Sequence, residues 1–336
     1  TGPVLVVCWL SVCAILLLIL FKTRSVRPDK SLKPFAGKDK NEPAGFFDRL
    51  LFYCAVTIIL LTGVTAFFAA PNNWDSMTYH LGRVVHWVQN QSANHFPTHI
   101  DRQVTQPPGA EFIIAHFYIL SDSDRLANLV QWFALVGCAV ASSLCAALLG
   151  GERKVQILTA ALVVSIPMVI LQASSTQNDL VVSFWILTTF AFILKWKKYV
   201  SQNRQFFYIF SAIGLALLTK GTAYIFLVPI VVWMAFLLAR NFKKISWINL
   251  VFCGMLVLLL NGGHFYRNME IYKTPLGHSY KLTNEKMGLM PLLSNAVRNV
   301  ALHCKTPSRE VNTKIEDAFV AIYQLSLIHI SEPTRP

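Results

Sequence analysis

An all-α fold that crosses a membrane several times is predicted by two features of the sequence. Hydrophobic residues make up 54% of the 336 residues and charged ones only 14%, against roughly a quarter charged in an ordinary soluble domain. The apolar residues are also gathered into blocks long enough to cross a hydrocarbon layer, which takes about 20 residues of helix. No alternating barrel pattern accompanies them, and lipid tolerates no unpaired backbone, so the blocks read as helices.

In chain order the blocks are residues 3–21, 50–70, 126–149, 155–173, 180–194, 206–238 and 247–260. The first is too long for a signal peptide and lacks the basic flank and small-residue cleavage site of one, so it is expected to be a true span. Between it and the second lie Lys22, Arg24, Arg27, Lys30, Lys33, Lys38, Lys40 and Arg49, which makes that short loop cytoplasmic under the positive-inside rule. Parity then places residues 71–124 outside, Glu152-Arg153-Lys154 inside, residues 174–178 outside and Lys195, Lys197, Lys198 and Arg204 inside. The tract 206–238 is about 50 Å long as one helix, against a bilayer core of about 30 Å. It should be two short spans broken at Thr219-Lys220-Gly221, with Lys220 at the external side. The last block then delivers His264 and Arg267 outside.

The formal charge of +13 does not indicate nucleic acid, because the basic residues sit between hydrophobic blocks and act as topology signals. Cys8, Cys13, Cys54, Cys138, Cys145 and Cys253 lie inside apolar blocks without ligand spacing, so neither a zinc site nor a disulfide framework is expected. His80, His86 and His116 lack metalloenzyme spacing, and no P-loop, GxSxG or Rossmann fingerprint occurs. The opening Thr1-Gly2-Pro3 suggests a missing start. Residues 325–336, LSLIHISEPTRP, resemble a translated sequencing-library adapter and are set aside, so the natural chain is expected to continue beyond Gln324.

Topology therefore carries Asp75, Asp179, Lys220, His264 and Arg267 to one outer face, although they lie far apart in the chain. Ionisable groups at such depths are default site candidates. From Asp75 the external loop reads as an interfacial helix, with Met77, Leu81, Val84, Val85 and Val88 on one side and Asp75, Tyr79, Arg83 and His86 on the other. Each candidate has a plainer reading as well. Asp75 and Asp179 suit helix caps, Lys220 could snorkel, and Arg267 could meet lipid headgroups.

Taken in order, several short segments carry a resemblance. They are Asn73-Trp74-Asp75 with Tyr79-His80, Gln106-Pro107-Pro108-Gly109, Arg125, Asn178-Asp179-Leu180, Leu218-Thr219-Lys220-Gly221, and Arg267-Asn268 with Tyr272 and Pro275. Together they resemble the GT-C glycosyltransferases, in the group of bacterial protein O-mannosyltransferases and lipid A aminoarabinose transferases. The resemblance implies an inverting transfer of a sugar from a polyprenyl-phosphate donor to an acceptor hydroxyl on a lipid, glycan or protein, at the extracytoplasmic face of a bacterial inner membrane. It implies Asp75 as the catalytic base, with Lys220, Arg267, Asp179, Tyr79 and His80 as the donor phosphate and sugar contacts. Membrane lipids are the surrounding partner. No cofactor is assigned and a divalent metal is left open, although Ser76 stands where the family often has an acidic neighbour. A multi-span transporter is the alternative, and it should show internal repeats and charges near the midplane. The expected organisation is an extra span with a basic cytoplasmic loop (1–49), a GT-C-like core (50–277), an extracytoplasmic segment (278–324) in which residues 291–304 read as a further interfacial helix, and the tail 325–336.

Overall fold

The computed structural model describes residues 7, 11, 45–198, 204–277, 288–304 and 306–325. The span expected at 3–21, the basic loop after it and nearly all of the adapter-like tail lie outside the described residues. Those that are described form helices and connecting loops with no strand. They divide into two units, residues 1–278 and 279–336.

The first unit is a bundle. Helix α1 (Phe46–Phe68) begins where the Gly45 amide donates to the Asp48 carboxylate at 3.2 Å, an anion in the first turn that suits the helix dipole. The loop at 71–124 carries several short helices. It contains a π-helical turn (Ser76–His80), α2 (Leu81–Gln89), the short α3 (Arg102–Thr105) and α4 (Gly109–Ser121). Then follow α5 (Leu129–Leu148), α6 (Arg153–Ser165), α7 (Pro167–Ala173), α8 (Asp179–Lys198), α9 (Arg204–Thr219), α10 (Ala223–Arg240) and α11 (Trp247–Tyr272). Helices α1, α5, α8, α10 and α11 are each long and apolar enough to cross a membrane.

Two expectations change in detail and one holds. The tract 155–173 is bent by 68° between α6 and α7, because Ile166 precedes Pro167 and takes extended geometry, as a pre-proline residue must. The tract 206–238 does break at 220–222, between α9 and α10. The last block does not stop at residue 260: α11 runs on through Gly262-Gly263 to Tyr272, about 39 Å in all, and ends at Lys273 in the left-handed region (φ 57°). His264 and Arg267 are therefore helical residues rather than loop residues.

Small and amide side chains set how the helices meet. A Cβ on Gly137 would fall 2.6 Å from the Phe184 ring, so its absence is what lets α5 and α8 approach so closely. Buried amides and the Trp132 indole then tie backbone groups across the bundle. Asn128 donates to Ala69 O at 2.9 Å, Trp132 Nε1 to Ile59 O at 2.8 Å, and Asn261 to Gly214 O at 3.0 Å. Gly109 opens α4 directly on the α9 backbone, where a Cβ would lie 2.9 Å from Leu218 O. Because that neighbour is backbone and cannot rotate away, Gly109→Ala should cost about 1–3 kcal/mol, read as a lower thermal midpoint of the purified protein in detergent.

The second unit contains α12 (Leu289–His303) and α13 (Arg309–Leu325). The first of these occupies the stretch expected to be helical at 291–304.

Candidate active site

A chain of hydrogen bonds gathers the candidate residues at one end of the bundle. The Ser76 hydroxyl accepts from the Thr176 amide at 3.3 Å, which brings the start of the π turn to the α7–α8 loop. The Asn178 side chain donates to Thr219 O at 3.1 Å, which brings that loop to the end of α9. At the junction the Lys220 ammonium lies 2.6 Å from Asp179 Oδ1, with both side chains partly open to solvent. Asp75 stands beside Ser76, with Arg102 Nη1 at 3.8 Å from its Oδ1. The Arg102 guanidinium also sits over the Tyr79 ring, 5.8 Å from its centre.

Neither carboxylate is consumed as a helix cap. The first free amide of the π turn, that of Ser76, is taken by the Asn73 side chain at 2.7 Å, and the Asp75 side chain makes no cap bond. The opening amides of α8, those of Leu180 and Val181, are taken by Gln131 Oε1 from α5 at 3.1 and 3.2 Å. Gln131 is itself positioned against Gln172 at 3.3 Å. A helix start leaves unpaired amides that some oxygen must satisfy. Here Asn73 and Gln131 do so, which leaves the two aspartates free for other partners. The Tyr79 hydroxyl is pushed well above the ordinary tyrosine range, by burial first and then by the negative charge of Asp75. It is thus a neutral hydrogen-bond donor beside the carboxylate.

Beneath this surface the helix faces differ from the amphipathic expectation. Ser76, His80, Arg83 and Trp87 are buried together with Leu81 and Val84, while Met77 and Trp74 are exposed. The buried face is thus half polar, and it is neutralised from α4. His80 Nδ1 lies 2.6 Å from Glu111 Oε1, and Arg83 Nη1 lies 3.7 Å from the same oxygen. Arg83 further donates through Nε to Gln103 O and through Nη2 to Arg102 O at 2.7 Å. Burial alone would raise the Glu111 carboxyl, but Arg83 and His80 outweigh it and hold the group below the usual carboxylate range. His80 therefore faces inward, with the Tyr79 ring tilted against it at a centroid distance of 4.1 Å. π-helical turns are rare and often mark functional sites.

Arg267 stands elsewhere at this end. With Arg83, His95, Gln103, Gln106 and His264 it lines a separate small cleft between the 93–108 segment and α11. The structure thus brings Asp75, Tyr79, Asp179 and Lys220 together, buries His80 behind them and sets Arg267 aside. Arg102 and Glu111 are the residues that sequence reasoning passed over. Glu111 carried a signal, a lone carboxylate inside an apolar run, whereas Arg102 carried none. Among the described residues no group of three or more His, Cys, Asp or Glu side chains is placed to hold a metal ion.

A family model described as dolichyl-phosphate-mannose-protein mannosyltransferase matches residues 105–261. The matched stretch contains Glu111, Asp179 and Lys220, while Asp75, Tyr79, His80 and Arg267 fall outside it. Searches of curated proteins and of solved structures returned no match. Together with the multi-span helical bundle, the match supports a membrane glycosyltransferase of the GT-C type.

Proposed function

We propose that the protein transfers a sugar from a polyprenyl-phosphate donor to an acceptor hydroxyl, with inversion at the anomeric carbon, on the extracytoplasmic side of a bacterial inner membrane. The observation that carries this reading is the uncapped, solvent-reachable Asp75 carboxylate next to the Asp179–Lys220 pair. Asp75 is the general base. It takes the acceptor hydroxyl proton as the oxygen attacks the anomeric carbon from the face opposite the bond to phosphate. That bond breaks with its electron pair going to the phosphate, and the growing charge needs a cation close by.

Lys220 is that cation. Its pairing with Asp179 keeps the ammonium extended at the surface, and an incoming phosphate would share it or displace the carboxylate. Tyr79, a neutral donor, is suited to a sugar hydroxyl or to the Asp75 carboxylate itself. Arg102 restrains Asp75 at a distance that leaves the carboxylate free to accept a proton. His80 acts from behind, by holding the Tyr79 ring. The acceptor is a lipid, glycan or protein hydroxyl, and surrounding membrane lipids supply the donor.

The test is transfer of radiolabelled sugar by membranes carrying the protein, across a panel of polyprenyl-phosphate donors. Lys220→Gln should lower kcat, because the charge it stabilises grows as the bond breaks, and raise the donor KM about tenfold or more, the worth of one charge-assisted hydrogen bond, with protein level unchanged. An unaltered donor KM would remove Lys220 from phosphate binding.

A further inference from the structure

At the end of the bundle opposite Asp75, the first turns of α1 and α6 each carry an arginine, and the two line one cleft. Helix α1 is about 34 Å long and Asp75 follows soon after its C-terminus, so its first turn lies about a membrane thickness from the candidate active site. The cleft has a volume of about 160 Å³, against the roughly 10–15 Å³ that admits a single water. It is lined by Asp48, Arg49, Phe52, Tyr53, Arg153 and Ile157.

The charges in it do not cancel. Asp48 is buried, and its Oδ2 accepts the Gly45 amide at 3.2 Å, so it serves the start of its own helix. Arg49 and Arg153 are exposed, and among the described residues neither has a carboxylate at ion-pair distance. One carboxylate against two guanidiniums leaves the cleft net positive.

The order of side chains along each wall is that of an amphiphile. Phe52 and Tyr53 stand three and four residues after Arg49, and Ile157 stands four after Arg153, which in a helix is the same face one turn on. Both helices begin at this end, so one turn on is one turn deeper into the apolar part of the span. Each wall thus runs from a guanidinium at the rim to apolar surface beneath it, and Phe52 and Tyr53 are left 52% and 64% exposed. A free anion would use only the rim. An anionic headgroup with its acyl chain would use both, because guanidinium forks match phosphate oxygens and the chain would cover the apolar side chains. Basic pockets between spanning helices recognise such headgroups. Snorkelling accounts for a cation at one helix end, but not for two helices placing theirs at one cleft walled by aromatic rings.

We propose that this cleft binds one anionic phospholipid of the surrounding membrane, with its phosphate between Arg49 and Arg153 and the start of an acyl chain on Phe52, Tyr53 and Ile157. The bound lipid would brace α1 against α6. This site does not rest on the transferase reading and shares no residue with it.

The test is thermal unfolding of the purified protein at a fixed concentration of neutral detergent, titrated with dioctanoyl phosphatidylglycerol, with dioctanoyl phosphatidylcholine and with inorganic phosphate. The expected result is a saturable rise in the midpoint with phosphatidylglycerol and none at the same concentrations of the other two. Arg49→Gln and Arg153→Gln should each raise the half-saturating concentration about tenfold or more, the worth of one charge-assisted hydrogen bond, each shift being read against that variant's own midpoint without lipid. Arg240→Gln removes a cation at the same end of the bundle but outside the cleft, and it should leave the titration unchanged. An equal rise with phosphatidylcholine, an equal rise with inorganic phosphate, equal weakening by Arg240→Gln, titrations unaltered in both cleft variants, or no rise at all would each overturn the lipid site.

Discussion

Glu111→Ala should destabilise the protein by about 3–5 kcal/mol, the cost of removing one partner from a buried charged pair. Glu111 is completely buried, and its Oε1 is shared by His80 at 2.6 Å and Arg83 at 3.7 Å. Truncation would leave the Arg83 guanidinium in the core with no anion, held only by the carbonyls of residues 102 and 103 and the Trp87 ring. Because Arg83 anchors the 102–103 segment and His80 packs against Tyr79, the π turn that carries Asp75 should loosen with it. The measurement is the thermal midpoint in detergent alongside the level of protein in membranes. Glu111→Gln, which keeps the shape and one acceptor oxygen, should lose less. The pH dependence follows from the direction of the shift. The Glu111 carboxyl is held low in the folded protein, so its contribution is present above the ordinary carboxylate value and lost as pH falls through the lowered one. Glu111→Ala should therefore flatten the acid limb of the stability profile, whereas an acid limb unchanged from wild type would place the titrating group elsewhere.

The parts of this fold legible in the sequence are those fixed by solvent. Long apolar blocks must be helices in lipid, and basic connections fix which ends lie together, which is why the sequence alone assigns Asp75, Asp179, Lys220, His264 and Arg267 to one end. What was not legible depends on contacts between segments. Whether Asp179 caps its own helix is decided by Gln131, on α5, and nothing near Asp179 reveals it. Asn73 is different: an amide side chain three residues before Ser76 is a local cap signal, and it frees Asp75.

The loop helix misled because a period-based reading assumes that polar residues face water. Here Ser76, His80 and Arg83 are turned inward to meet Glu111, and the π turn shifts the register between Asp75 and Leu81. Arg267 was grouped with Lys220 by the parity of the spans, which assigns an outer face but not a cleft. The continued α11 instead carries it to another cleft. The kink at Ile166-Pro167 was readable from the proline alone.

Asp75→Asn carries the largest expected effect on activity. The asparagine side chain keeps the size of aspartate and a donor–acceptor pair for Arg102 and the solvent, but it cannot accept the acceptor's proton. General-base assistance contributes about 10²–10⁴-fold, so transfer should fall by that factor. Stability should barely change, because Asp75 makes no cap bond and its contact with Arg102 is a loose, partly exposed one at 3.8 Å, of a kind worth about 1 kcal/mol at most. The loss should appear in kcat with donor KM retained, in contrast to Lys220→Gln, since a base acts as the bond forms and contributes little to ground-state binding. The decisive measurement is radiolabelled sugar transfer from polyprenyl-phosphate donors by membranes carrying wild type or Asp75→Asn at matched protein levels. Transfer by wild type that drops at least a hundredfold in the variant is the predicted result. Equal transfer by the two would contradict Asp75 as the base, and absence of transfer by wild type from every donor and acceptor tried would contradict the transferase itself.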